Sequence, residues 1–139
     1  MRFEEYSHII SIMVDHWSLV QKCTDVRILV PIYWKFTEAC SKLNEFRKAA
    51  RYSDSIFDTL LHSFYFKVED NDINAVHVVR RHANIRAQLG QFDDAIYYFD
   101  LALKVQDSHH RDIETRKENS FHYKACILGD MANILNMKS

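Results

Sequence analysis

Apolar residues recur along this chain at intervals of three and four, broken by short polar stretches, the spacing expected of helices that each bury one face. After Phe92 the apolar positions are Ala95, Ile96, Phe99, Ala102 and Leu103; after Phe46 they are Ala49, Ala50, Ile56, Phe57, Leu60, Leu61 and Phe64. Leu29, Ile32, Tyr33, Phe36, Cys40 and Leu43 predict a helix over residues 26–43. Val78, Ile85 and Leu89, with Val79 and Ala83 beside them, predict another over 73–89, and Phe121, Ala125, Leu128, Ala132 and Leu135 a last one over 113–136. A first helix covers 3–22. The polar "EDND" at 69–72 separates two of these, with Asp72 or a neighbour able to accept the free amide hydrogens of the next helix. Gly90 supplies a left-handed helix stop, and "QDSHHRD" at 106–112 reads as the longest loop. Pro31 removes a hydrogen bond, so its helix either kinks there or starts near Val30, leaving "DVRILV" as a separate turn.

The pattern also repeats. Residues 43–57, "LNEFRKAARYSDSIF", align with 89–103, "LGQFDDAIYYFDLAL", at an offset of 46: Leu43 with Leu89, Phe46 with Phe92, Ala49 with Ala95, Tyr52 with Tyr98, Phe57 with Leu103. A weaker copy starts at Phe3 and Tyr6, which stand 43 residues before Phe46 and Ala49. Periods of this size signal stacked helical units. Six helices result, in the order B, A–B, A–B, A, where A and B are the two helices of a unit.

Composition narrows the class. A chain of 139 residues, 47% hydrophobic and 27% charged, has globular balance and the length of one domain, 1–139. Two glycines, one proline and no hairpin dipeptides such as Asn-Gly argue for an all-α fold. A net charge of −1 provides no global attraction to nucleic acid or anionic lipid. Cys23, Cys40 and Cys126, odd in number and set in apolar helical patterns, fit free thiols in a reducing compartment. No apolar run approaches the ~20 residues that span a bilayer, and the acidic, His-containing first twenty residues differ from a signal peptide. A cytoplasmic protein without a membrane partner is the expectation.

The segment "ANIRAQLGQFDDAIYYFDLALKV" resembles a tetratricopeptide repeat: Ala83, then Gly90 at the turn, Phe92, Ala95, Phe99 and Ala102-Leu103. "YWKFTEACSKLNEFRKAARYSDSIF" resembles it less closely, with Asn44 for the turn glycine and Ile56 for the late alanine. HEAT-like arrays share a period near 46, longer than the usual ~34 of tetratricopeptide repeats, but the spacing of Gly90, Phe92 and Ala95 favours the latter. The resemblance implies antiparallel hairpins, 26–67 and 73–106, stacked with a helix at either end into a short right-handed superhelix. It further implies a peptide-binding groove on the inner faces of the A helices. The positions are Trp34, Glu38, Ser41 and Lys42 in the first unit and His77, Arg80, Asn84, Ala87 and Gln88 in the second. If Ala132 matches Ala83, Gly129 and Asn133 join them. Arg80 and Asn84, one turn apart, are similar to half of the carboxylate clamp with which chaperone-binding members hold a peptide's C-terminus, although the aligned positions elsewhere, Glu38, Gly129 and Asn133, are not basic.

Chemistry is scarce. His109 and His110 beside Asp107 and Asp112 form the one metal-ligand pattern, and adjacent histidines in a polar loop are more commonly solvated. There is no Gly-rich phosphate loop, no Gly-x-Ser-x-Gly elbow and no Cys/His pair at a recognised spacing, so neither an enzyme nor a cofactor is expected. Tyr97, Tyr98 and Phe99 near Arg80, Arg81 and Arg86 suggest base stacking only weakly, because Phe99 belongs to the packing stripe. His82, between Val78 and Ile85, reads as a core histidine, with a pH-dependent role as the alternative. The sequence therefore predicts a non-catalytic adaptor that binds a protein or peptide segment. The alternative is a structural subunit that self-associates through terminal helices whose apolar residues, Ile10, Met13 and Trp17 or Leu128 and Leu135, lack cover.

Overall fold

Among the described residues the chain is helical wherever the apolar period of 3.6 holds. A computed structural model describes the backbone of residues 2–63, 75–110 and 117–138 and the side chains of 2–63, 75–105 and 124–136. The described elements are α1 (Phe3–Asp15), α2 (Trp17–Lys22), α3 (Val26–Lys42), α4 (Phe46–His62), α5 (Ala75–Gln88), α6 (Phe92–His110) and α7 (Lys117–Lys138), with no strand among the described residues. They fall into two compact units, Met1–Ile73 and Asn74–Ser139.

In the first unit α1 packs on α3, which packs on α4. The predicted helix over 3–22 is two helices, so seven are described where six were expected. The break is at His16, whose ring Nδ1 and backbone N–H both donate to the Ile12 carbonyl, each at 3.0 Å, closing the turn locally. Asp25 caps α3 by accepting from Arg27 N at 3.0 Å. The helix then runs through Pro31 without a separate "DVRILV" turn; the carbonyl that loses its donor is that of exposed Arg27, within reach of water. Tyr33, Phe36, Ala39 and Cys40 of α3 close on Ala49, Ile56, Phe57 and Leu60 of α4, all buried.

In the second unit α5 packs on α6 and α6 on α7. The core holds Val76, Val78, Val79, Ala83 and Ile85 from α5, Ala95, Phe99, Ala102 and Val105 from α6, and Ile127 and Ile134 from α7. Two expectations are corrected here. Residues 106–110 are the last turn of α6 rather than loop, since nothing there is a glycine or proline that would stop a helix. On α7 the buried stripe is Ile127 and Ile134, whereas Ala125, Leu128, Ala132 and Leu135 are exposed. This helix is apolar on two faces, and periodicity does not say which one meets α6. Phe64, Asp72, the 69–72 break, Phe121 and the side chains of Asp107, His109, His110 and Asp112 lie outside what is described.

The two hairpins repeat one another atom for atom at the turn. Asn44 and Gly90, 46 residues apart, are the two described residues at positive φ, +55° and +77°. Glu45 N donates to Cys40 O (2.8 Å) and Gln91 N to Arg86 O (2.9 Å), the 6→1 bond of a Schellman stop. Each following helix is entered the same way, Ala49 N to Glu45 O and Ala95 N to Gln91 O, both 3.0 Å. Beyond the turn, Phe36 meets Tyr52 edge-to-face (6.0 Å, 87°), and His82 meets Tyr98 likewise (4.5 Å, 88°), again at matched positions. Thr37 takes the place of Ala83, its hydroxyl donating back to the Tyr33 carbonyl at 2.7 Å so that no polar group is stranded in the small gap between helices.

Candidate functional site

The predicted groove positions sit on the sides of α3, α5 and α7 that packing leaves accessible. In the first unit Trp34, Glu38 and Ser41 are half-buried and Lys42 is exposed. In the second, His77, Arg80 and Ala87 are half-buried and Asn84 and Gln88 exposed on α5, while Gly129 and Asn133 are exposed on α7. Of the second set, the structure ties Arg80 of α5 to α7, through a residue outside the predicted positions. The Arg80 Nε donates to Asp130 Oδ2 at 2.7 Å, with the two side chains 28% and 24% exposed. Asn84 follows Arg80 by four residues and Asn133 follows Asp130 by three, so each exposed amide stands about one turn along its own helix from a member of the pair.

Asp130 is the residue that sequence reasoning missed. It is one of two acids in α7, and nothing local distinguishes it as the partner of a residue 50 positions away. Its carboxylate compensates the Arg80 charge, so this surface presents amide groups beside an ion pair rather than a bare cation. That is suited to the N–H and C=O groups of an extended backbone.

His82 is buried at 1% exposure. Burial foremost, and then the positive charge of Arg86, hold its pKa down to about 3, so the ring is neutral at ordinary pH. Burial, with a contribution from Glu45, pushes the Cys40 thiol up to about 12, which removes it from nucleophilic chemistry. Cys23 and Cys126 are half-buried, and none of the three cysteines is in a disulfide. Among the described residues no group of three or more His, Cys, Asp or Glu is placed to hold a metal, and no helix is long and apolar enough to cross a membrane.

Two surfaces remain. A shallow cleft of about 320 Å3 runs between Ser7, Ile10 and Val14 of α1 and Leu43, Glu45 and Lys48 at the α3–α4 turn. The expectation that Ile10 and Met13 lack cover is corrected, since both are buried where α1 packs on α3, and Trp17 stacks edge-on against Tyr52 at 5.1 Å. Leu128 and Leu135 are exposed as expected, at 54% each. No family model matches this chain, and searches of curated proteins and of solved structures find no match to it.

Proposed function

We propose that this chain is a non-catalytic interaction module of tetratricopeptide-repeat type, which binds an extended peptide segment of a partner protein on the accessible faces of the A helices of its second unit, α5 and α7. One observation supports this above the others: the Arg80–Asp130 pair links α5 to α7, with exposed Asn84 and Gln88 on the first helix and exposed Asn133 on the second. Side-chain amides both donate and accept, so they pair with peptide backbone irrespective of its sequence. Specificity then falls to the side chains beside them, such as His77. A free C-terminal carboxylate is not required, because Asp130 already satisfies part of Arg80.

The test uses Asn84→Ala with Asn133→Ala. Both residues are exposed, so thermal unfolding should be unchanged. Peptides selected on the wild-type protein from a random displayed library should bind this variant at least tenfold more weakly, and amidating their C-termini should make no difference. Equal binding to the variant, or no selectable peptide, defeats the reading.

A further inference from the structure

The outward faces of the two B helices, α4 and α6, carry opposite charges at matched positions. On α4 Arg47, Lys48, Arg51 and Asp58 are exposed and share one arc of the helix. At the 46-residue offset of the repeat, α6 exposes Asp93, Asp94, Tyr97 and Lys104 on the same arc. Three charges are thereby reversed: Arg47 stands where Asp93 does, Lys48 where Asp94 does and Asp58 where Lys104 does. Asp54 and Asp100 are a matched pair of like sign, of which the first is half-buried and the second already meets Lys104 at 3.1 Å.

Neither face is balanced by its own helix. The first turn of α4 holds Arg47 and Lys48 and no acid, although the amide end of a helix favours acids, and Arg47 repels Arg51 one turn on. Arg51 lies over the ring of Tyr52 at 5.6 Å, and Lys48, at the rim of the α1 cleft, meets Glu45 only at 3.7 Å. On α6 the ring of Tyr97 is 64% exposed among acids, edge-on to Tyr98 at 5.2 Å. Tyrosine and arginine are the side chains that most often anchor protein interfaces.

We propose that the outward face of α4 docks on the outward face of α6 in a second copy of this chain. The two helices lie side by side in the same direction and in the register of the repeat. That register sets Arg51 on the Tyr97 ring, Arg47 and Lys48 against Asp93 and Asp94, and Asp58 against Lys104. The partner's carboxylates then reach the first turn of α4, where the helix supplies none of its own. Two α4 helices in the same parallel register would oppose like charges at every one of these positions. Each copy carries both faces, so the contact repeats until the assembly closes. The proposal is independent of the peptide surface on α5 and α7.

Sedimentation velocity on the full chain tests this with two variants that conserve net charge, Lys48→Glu/Asp58→Lys and Asp94→Lys/Lys104→Glu, each checked by circular dichroism for helix content and melting. The wild type should associate through the micromolar range at low salt and dissociate in about 0.5 M salt, where charges are screened within a few ångströms. Each variant alone should associate at least tenfold more weakly, and an equimolar mixture should regain wild-type association, because each face again meets its opposite. Tyr97→Ala, at unchanged charge, should weaken association several-fold. Three results overturn the proposal: a wild-type monomer throughout; undiminished association of the α6 variant, which would mean that α4 faces pair with each other antiparallel; or no recovery on mixing. Should the α6 variant melt early, Tyr97→Ala carries the test for that face, and association equal to wild type then defeats it.

Discussion

His82 and Phe36 occupy the same place in two copies of one hairpin, each set edge-on to a tyrosine, and the difference between them is a titratable ring. In the unfolded chain His82 takes up a proton near its ordinary 6.5, but in the fold it stays neutral down to about 3. The unfolded state therefore binds more protons below 6.5, and folding stability falls as pH drops from 6.5 towards 3, with a limiting slope of about 1.4 kcal/mol per pH unit. His82→Phe, which installs the residue of the other hairpin, should remove this component. Urea unfolding at pH 7 and pH 5 would show it: the wild type should lose stability relative to the variant between the two, and equal losses would refute the account. The burial of His82 was readable from its place between Val78 and Ile85. Its ring contact with Tyr98 was not, because a side-chain direction across a hairpin depends on how the two helices are rotated against each other.

The hairpin turn shows an element encoded almost wholly by local chemistry. Gly90 adopts φ +77° without cost, and the same bonds form around Asn44 at +55°, which a side chain makes less favourable. Asn44→Gly should accordingly stabilise the first unit by about 0.5–1 kcal/mol, and Gly90→Ala should destabilise the second by about 1 kcal/mol. A Cβ at Gly90 would have nothing within 4 Å, so the latter effect is backbone strain alone. Chemical denaturation of the two single variants checks both signs. Other boundaries were less legible. The α1–α2 break falls at His16, whose ring joins its own backbone N–H on the Ile12 carbonyl, and α6 runs on through polar residues because no stop signal interrupts it. A helix end set by the absence of a breaker leaves no mark in composition.

At the level of the whole molecule the informative contacts join residues far apart in sequence. Arg80 and Asp130 tie α5 to α7, and Asp130→Ala should cost the second unit about 1 kcal/mol, the upper range for a pair that water still reaches. Hydrogen exchange should then quicken in α7 while α3 and α4 keep their protection; uniform protection throughout would show the pair to be energetically idle. By itself the sequence determined the all-helical class, the 46-residue spacing of two hairpins and the left-handed stop at Gly90, with Asn44 at the equivalent place, since each depends on interactions within a few residues of the chain. Only the tertiary structure decided that Ile127 and Ile134 of α7 turn inward while Leu128 and Leu135 turn out, and that the Arg80 guanidinium meets a carboxylate 50 residues away. When a helix carries two apolar faces, its period is satisfied by either, and the choice falls to the neighbour it packs against.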